Sequence, residues 1–245
     1  MRALRTALFL ACAGLVFGST SSLAQGKDDG NIGPGAGGTP ECDITGYKTE
    51  RIAYPAPIAI PDNNPAGIRL GPIFMPPDGD IVNDVVLELN MGHTWVGDLV
   101  MDLIYDPDCS GPAGDIAARV LCRPRGPNAV PGPPCGAVGG VGCAGDLTST
   151  APYFISDLGA APLGVGAFGT CVSIISPGCY RQSDIGGGSF SIWRGLPKGG
   201  CWYLQVSDHE LADLGSITSW AVYVRNQTPT PTAGVSWGAI KNIYR

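Results

Sequence analysis

The sequence predicts an all-β protein, an antiparallel sandwich or jelly roll of about eight or more short strands. Three observations carry that prediction. Apolar side chains recur at every second position in several segments, the period of a strand with one buried face. The chain holds 37 Gly and 22 Pro against only 15% charged residues, and these turn formers interrupt the apolar segments at short intervals. No stretch of ten or more residues keeps a helical period, so less than about a tenth of the chain is expected in helix, against the usual third.

Each strand follows from its own alternation. From Ile81, the positions Ile81, Asn83, Val85, Leu87, Leu89 and Met91 alternate with a set that includes Asp84, Glu88 and Asn90, which predicts one buried face. Leu99, Met101 and Leu103 alternate with Val100, Asp102 and Ile104. Trp202, Leu204 and Val206 alternate with Tyr203 and Gln205, and Trp220, Val222 and Val224 with Ser219, Ala221 and Tyr223. Shorter strands are expected near 50–60, 67–75, 117–122, 171–176 and 188–193. Trp202 and Trp220 fall on the apolar sets and read as core, because a sugar platform needs exposed rings. Gly186-Gly187-Gly188 lacks the Lys-Ser/Thr and the helix of a phosphate cradle, so it reads as a tight hairpin or bulge.

The organisation around the sandwich is also legible. Arg2 and Arg5 precede the apolar run Ala7 to Gly18, and Ser22-Leu23-Ala24 supplies small residues. Residues 1–24 therefore read as a secretory signal cleaved before Gln25. Residues 25–41 read as a flexible leader and 42–226 as one globular region with a Cys- and Gly-rich insertion at about 109–150. Residues 227–234 form a Thr/Pro linker, stiff and extended. In the tail 235–245, Trp237, Ile240 and Tyr244 fall at i, i+3 and i+7. That spacing marks a candidate docking or sorting peptide, set against an unstructured terminus that Gly238 favours.

Cysteines and charge narrow the class. After loss of Cys12, eight remain: Cys42, Cys109, Cys122, Cys135, Cys143, Cys171, Cys179 and Cys201. An even number in an exported chain predicts disulfides, and the absence of C-x-x-C argues against zinc. Pairing cannot be deduced from sequence. Closeness along the chain favours Cys135–Cys143 and Cys171–Cys179, then Cys109–Cys122, with Cys42 and Cys201 left over. The net charge of −6 argues against a nucleic-acid binder, which needs a basic stripe. No segment approaches the 18 or so unbroken apolar residues of a membrane span.

Three blocks in order carry a resemblance. Ile58-Ala59-Ile60-Pro61-Asp62-Asn63 comes first. His93-Thr94-Trp95-Val96-Gly97-Asp98-Leu99 follows, running through Met101-Asp102-Leu103 to Asp106-Pro107. Gly200-Cys201-Trp202-Tyr203-Leu204-Gln205-Val206-Ser207-Asp208 is third, continued by Asp213-Leu214-Gly215-Ser216-Ile217 and Trp220. Over roughly 47–226 the chain resembles the P domain (P/Homo B domain) of kexin- and furin-type proprotein convertases. The family shows H-T-x-x-G-D-L, then G-x-W-x-L-x-V-x-D, D-x-G and a final Trp. Asp106 departs from the small residue the family has before its Pro, and 109–150 is longer than the family carries there. The resemblance implies a jelly roll related to galactose-binding-like domains.

The same resemblance raises calcium as a candidate ligand, held by Asp98 with Asp208 or Asp213, since hard cations take several oxygen donors. Beside it stands a structural reading, in which these carboxylates satisfy turn N–H groups. His93 is expected to tie its loop together through a backbone carbonyl. It and His209 are the only histidines, and neither is expected to meet a serine. No G-x-S-x-G elbow and no subtilisin-type catalytic blocks occur. The functions implied are a secreted, non-catalytic module that binds protein or glycan or supports a protease encoded elsewhere, a fragment of a serine endopeptidase, or an envelope component docked through its tail.

Overall fold

In a computed structural model, residues 42–124, 143–163, 174–182 and 188–227 are described. Among these residues there are eleven strands. Long ones are β1 (Lys48–Ile60), β2 (Asn64–Met75), β3 (Ile81–His93), β4 (Leu99–Asp106) and β5 (Ile116–Cys122). Short ones are β6 (Asp146–Leu147), β7 (Tyr153–Ser156), β8 (Ile174–Ile175) and β9 (Cys179–Tyr180), before the long β10 (Gly200–Asp208) and β11 (Gly215–Gln227). The helical elements among the described residues are single 3₁₀ turns, such as Val96–Asp98 and Pro112–Gly114. The protein is an all-β sandwich.

One sheet runs β1-β11-β3-β6-β8, with β7 and β9 branching from β3, and the other runs β2-β10-β4-β5. Consecutive strands β1 and β2 lie in different sheets, so the turn at Pro61-Asp62-Asn63 carries the chain across the core. Pro55 and Pro57 lie where the β1–β11 register shifts, between Ala53 and Ile58, as expected of residues without a ladder N–H. The two inner faces close one apolar core, in which Leu87, Leu89, Leu103, Trp193, Trp202, Leu204 and Trp220 are buried.

One strand expectation is corrected. The segment expected as a strand at 188–193 is a 3₁₀ turn, Phe190–Trp193. Asp157 accepts the Phe190 and Ser191 N–H groups through its two oxygens, and Ser189 also accepts from Ser191. Phe190 and Trp193 thus both turn inward three residues apart, a spacing that alternation over six residues does not separate. In the 171–176 segment, Ile174–Ile175 is a strand, while 171–173 lie outside the described residues.

The polar positions of β3 are not on a solvent face. Glu88 is only 2% exposed. Arg51 faces Ala221 and Ala221 faces Glu88, so the small Ala side chain leaves room for a pair two strands apart. Arg51 donates to both Glu88 oxygens at 2.7 Å, and the Tyr223 hydroxyl donates to Oε2 at 2.6 Å. Burial, with Glu88 beside it, pushes the Tyr223 phenol up to about 12. Asp84 is similarly covered, accepting from the Tyr47 hydroxyl at 2.7 Å and from Arg225 at 3.2 Å. Ile44, Tyr47 and Phe154 pack there on Val86, Ala221 and Tyr223.

The disulfides also differ from the expectation. Cys42 pairs with Cys179, and Cys109 with Cys201, at Cα separations of 5.7 and 5.2 Å. These replace Cys171–Cys179 and Cys109–Cys122, and they use the two cysteines expected to remain. Sheet register brings the partners together: Cys201 lies opposite Asp106 across β10 and β4, which places Cys109 in reach. Short loop closure is cheap in an unfolded chain, but the folded register decides which thiols meet. Cys122 and Cys143 are disulfide-bonded as well. Gln227, expected to open the linker, ends β11 instead. Cys135 and Cys171 lie outside the described residues, as do the signal, the leader, residues 228–234 and Trp237, Ile240 and Tyr244.

Candidate functional site

The end of β3, the turn into β4 and the end of β10 meet at one corner. His93 terminates β3 and Asp208 terminates β10, in opposite sheets. His93 Nδ1 accepts the Trp95 N–H at 3.1 Å, so Nε2 carries the proton and donates it to Asp208 Oδ2 at 2.9 Å. Both side chains are buried, at 0% and 1% exposure. The expected backbone carbonyl is therefore replaced by a carboxylate from a distant strand. Asp208 Oδ1 accepts the Glu210 N–H at 3.0 Å, and both its oxygens are engaged.

Gly215 explains how the corner closes. It lies opposite His93 across β11 and β3, and a methyl group there would lie 2.2 Å from His93 Cδ2. Only a residue without Cβ lets the imidazole occupy that space. Thr94 completes the closure, donating to Asp213 at 2.8 Å and accepting the Leu214 N–H at 3.0 Å. The Gly97 N–H donates to the Cys143 carbonyl at 3.1 Å. Leu99 is wholly buried at the head of β4, as are Trp202 and Trp220 in the core.

Asp98 is the charged member that burial disfavours. It is 3% exposed, and burial raises its carboxyl to about 7, helped by the charges of Asp208 and Asp213 and opposed by Arg123. Arg123 lies 4.0 Å from Asp98, pairs with Glu210 at 2.6 Å, and donates to the Gly97 carbonyl at 3.1 Å. A guanidinium thus stands among the carboxylates. The corner fits calcium poorly on this arrangement: both Asp208 oxygens are taken, Asp213 accepts from Thr94, and Arg123 is already the counter-ion. Among the described residues no three His, Cys, Asp or Glu side chains are grouped to hold a metal.

One expectation about the histidines is overturned. Ser207 Oγ lies 2.9 Å from His209 Nε2, because residues two apart at a strand end share a face. Burial, with Arg123 nearby, holds the His209 imidazole below its ordinary range, which favours the neutral ring that can accept the Ser207 proton. Ser207 itself is 5% exposed, and its hydroxyl also lies 3.5 Å from the Val100 carbonyl. The Ser-x-His spacing was in the sequence to be read.

These features define an all-β sandwich with a buried, ion-paired corner at one end and disulfides that tie loop residues to strands. No protein-family model matches the chain, and no curated protein matches it. Among solved structures it is similar to the serine protease of Aeromonas sobria, at 16% sequence identity and a TM-score of 0.35 over 72% of this chain. The matched region spans 26% of that protease. No helix among the described residues is long and apolar enough to cross a membrane.

Proposed function

We propose that the chain is an exported, non-catalytic, P-domain-like module that binds a protein or glycan or supports a protease encoded elsewhere. The observation that carries this reading is the state of His93. Both ring nitrogens are used, to Trp95 and Asp208, and the ring is sealed from solvent. A general base needs a free nitrogen within reach of a proton it can take, and His93 serves as a tie between sheets instead. The His-Thr-x-x-Gly-Asp-Leu block, Asp208 and Gly215 meet at this corner, which supports the resemblance. Disulfides between distant segments support export.

A second reading, a serine hydrolase, has the Ser207–His209 contact in its favour. It needs a third group to hold the imidazole and donors for an oxyanion. A fluorophosphonate serine-hydrolase probe separates the two. The module reading expects no labelling of the folded chain and no turnover of unstructured or dibasic peptides. Labelling that disappears in Ser207→Ala, with the melting curve unchanged, would establish the hydrolase instead.

A further inference from the structure

The turn between β4 and β5 carries Asp106, Asp108, Ser110 and Gly111, the spacing D-x-D-x-S-G. Asp106 is wholly buried. Its Oδ2 accepts the Gly111 N–H at 3.0 Å, while its buried Oδ1 meets no N–H donor and has the Asp108 carboxylate as its neighbour. Buried carboxylate oxygens are costly to leave bare, and such an orphan calls for a cation or a proton. Asp108 turns toward the same place. A methyl group on Gly114 would lie 3.8 Å from Asp106 Oδ1 and 3.7 Å from Asp108 Oδ1, so two carboxylate oxygens converge on one side of the turn.

The backbone is shaped for this convergence. Gly111 has φ +111° and Cys109 has φ +55°, and the Asp108 carboxylate accepts the Ser110 N–H at 3.1 Å. The Cys109–Cys201 disulfide holds the turn against the start of β10, opposite Asp106. We propose that the 106–114 turn is a calcium-binding loop, with Asp106 Oδ1 and the Asp108 carboxylate as its charged ligands. Among the described residues no third carboxylate joins these two, so the Ser110 hydroxyl, main-chain carbonyls of the turn and water are the remaining oxygen donors available to a hard cation.

The donor chemistry selects the ion. Every donor is oxygen, which suits calcium or magnesium over zinc or copper, and main-chain carbonyls in an irregular turn suit calcium, which accepts about six to eight oxygens without a strict octahedron. The spacing matches the opening of an EF-hand loop, whose sixth residue is Gly. Its twelfth position here is Ala117 rather than a bidentate Glu. Two carboxylates without that Glu place affinity near the weak end, about 10⁻⁴–10⁻³ M. The site is separate from the His93 corner and belongs to this chain, since Asp106 is itself a departure from the resemblance.

The test is thermal melting and tryptophan fluorescence of the full chain, titrated with calcium chloride after EDTA treatment. Trp202 packs on Tyr105 at 4.6 Å, next to Asp106, and reports on the turn. Wild type is expected to show a saturable rise in melting temperature that magnesium matches only at higher concentration. Asp108→Ala, an exposed position, is expected to fold normally and weaken the response at least tenfold. Asp98→Asn is expected to respond as wild type does. Any of the following would overturn the proposal: no saturable response in wild type, an undiminished response in Asp108→Ala, or a response equalled by sodium chloride at the same ionic strength. Loss of the response in Asp98→Asn alone would also overturn it, by moving the ion to the other corner.

Discussion

Replacing Asp98 with Asn removes one buried charge and leaves the shape of the corner almost unchanged. The Asp98 carboxyl ionises at its ordinary 3.8 in the unfolded chain and at about 7 in the folded one. Between those values the folded protein holds a proton that the unfolded chain has lost. The stability this group contributes is therefore complete below about pH 4 and is lost as pH rises through 7. At about 1.36 kcal/mol per pKa unit the loss is on the order of 4 kcal/mol. For a chain of this size that corresponds to a melting shift on the order of 10 °C.

The assay is urea denaturation of wild type and Asp98→Asn from pH 4 to pH 8, with EDTA present throughout. Other titrating groups are common to both proteins and cancel in the difference. The variant is expected to gain stability relative to wild type as pH rises, most steeply between pH 5 and 7. Part of the full value is offset in the variant by the loss of a partner for Arg123, so the slope matters more than the offset. Parallel pH profiles for the two proteins would refute the reasoning. They would show that Arg123, 4.0 Å away, already neutralises Asp98 in full.

Four further outcomes are expected. His93→Ala leaves Asp208 buried without its imidazole and should cost about 3–5 kcal/mol in urea; a cost below about 1 kcal/mol would mean that water replaces the ring. Gly215→Ala drives a methyl into His93 and should lower stability by about 1–3 kcal/mol, with a calorimetric melt unchanged from wild type as the contrary result. Arg51→Ala strands Glu88 and should cost about 3–5 kcal/mol, whereas Arg51→Ala with Glu88→Gln should recover part of it. The double change Cys109→Ser and Cys201→Ser should cost about 2–5 kcal/mol, read as a lower denaturation midpoint, and equal midpoints would argue against that bridge.

Alternation located β3, β4, β10 and β11, because the period of two is a local property of the backbone and its side chains, while the segments expected as shorter strands near 50–60, 67–75 and 117–122 fall on β1, β2 and β5. The sandwich follows from it, since many strands with one apolar face each must bury those faces together. The motif blocks also marked the corner: His93, Gly97, Asp98, Asp208 and Gly215 are close because the strands that carry them end there. The D-x-D-x-S-G spacing was equally open to reading, though only the bare Asp106 oxygen gives it weight. The period could not say that the outer face of β3 is covered, since Arg51, Tyr223 and Glu88 come from three strands and meet only over Ala221.

Pairing and partner choice came from register. Cys42 lies 137 residues from Cys179, and His93 lies 115 from Asp208, so neither contact leaves a trace in local spacing. Chain closeness misled for the cysteines because it measures the cost of closing a loop, whereas strand order decides which side chains face one another. The counter-ion role of Arg123 depends in the same way on strand order, since the ends of β5, β4 and β10 lie side by side in one sheet. A sequence carries the period of each strand; which strand lies beside it is a property of the assembled sheets.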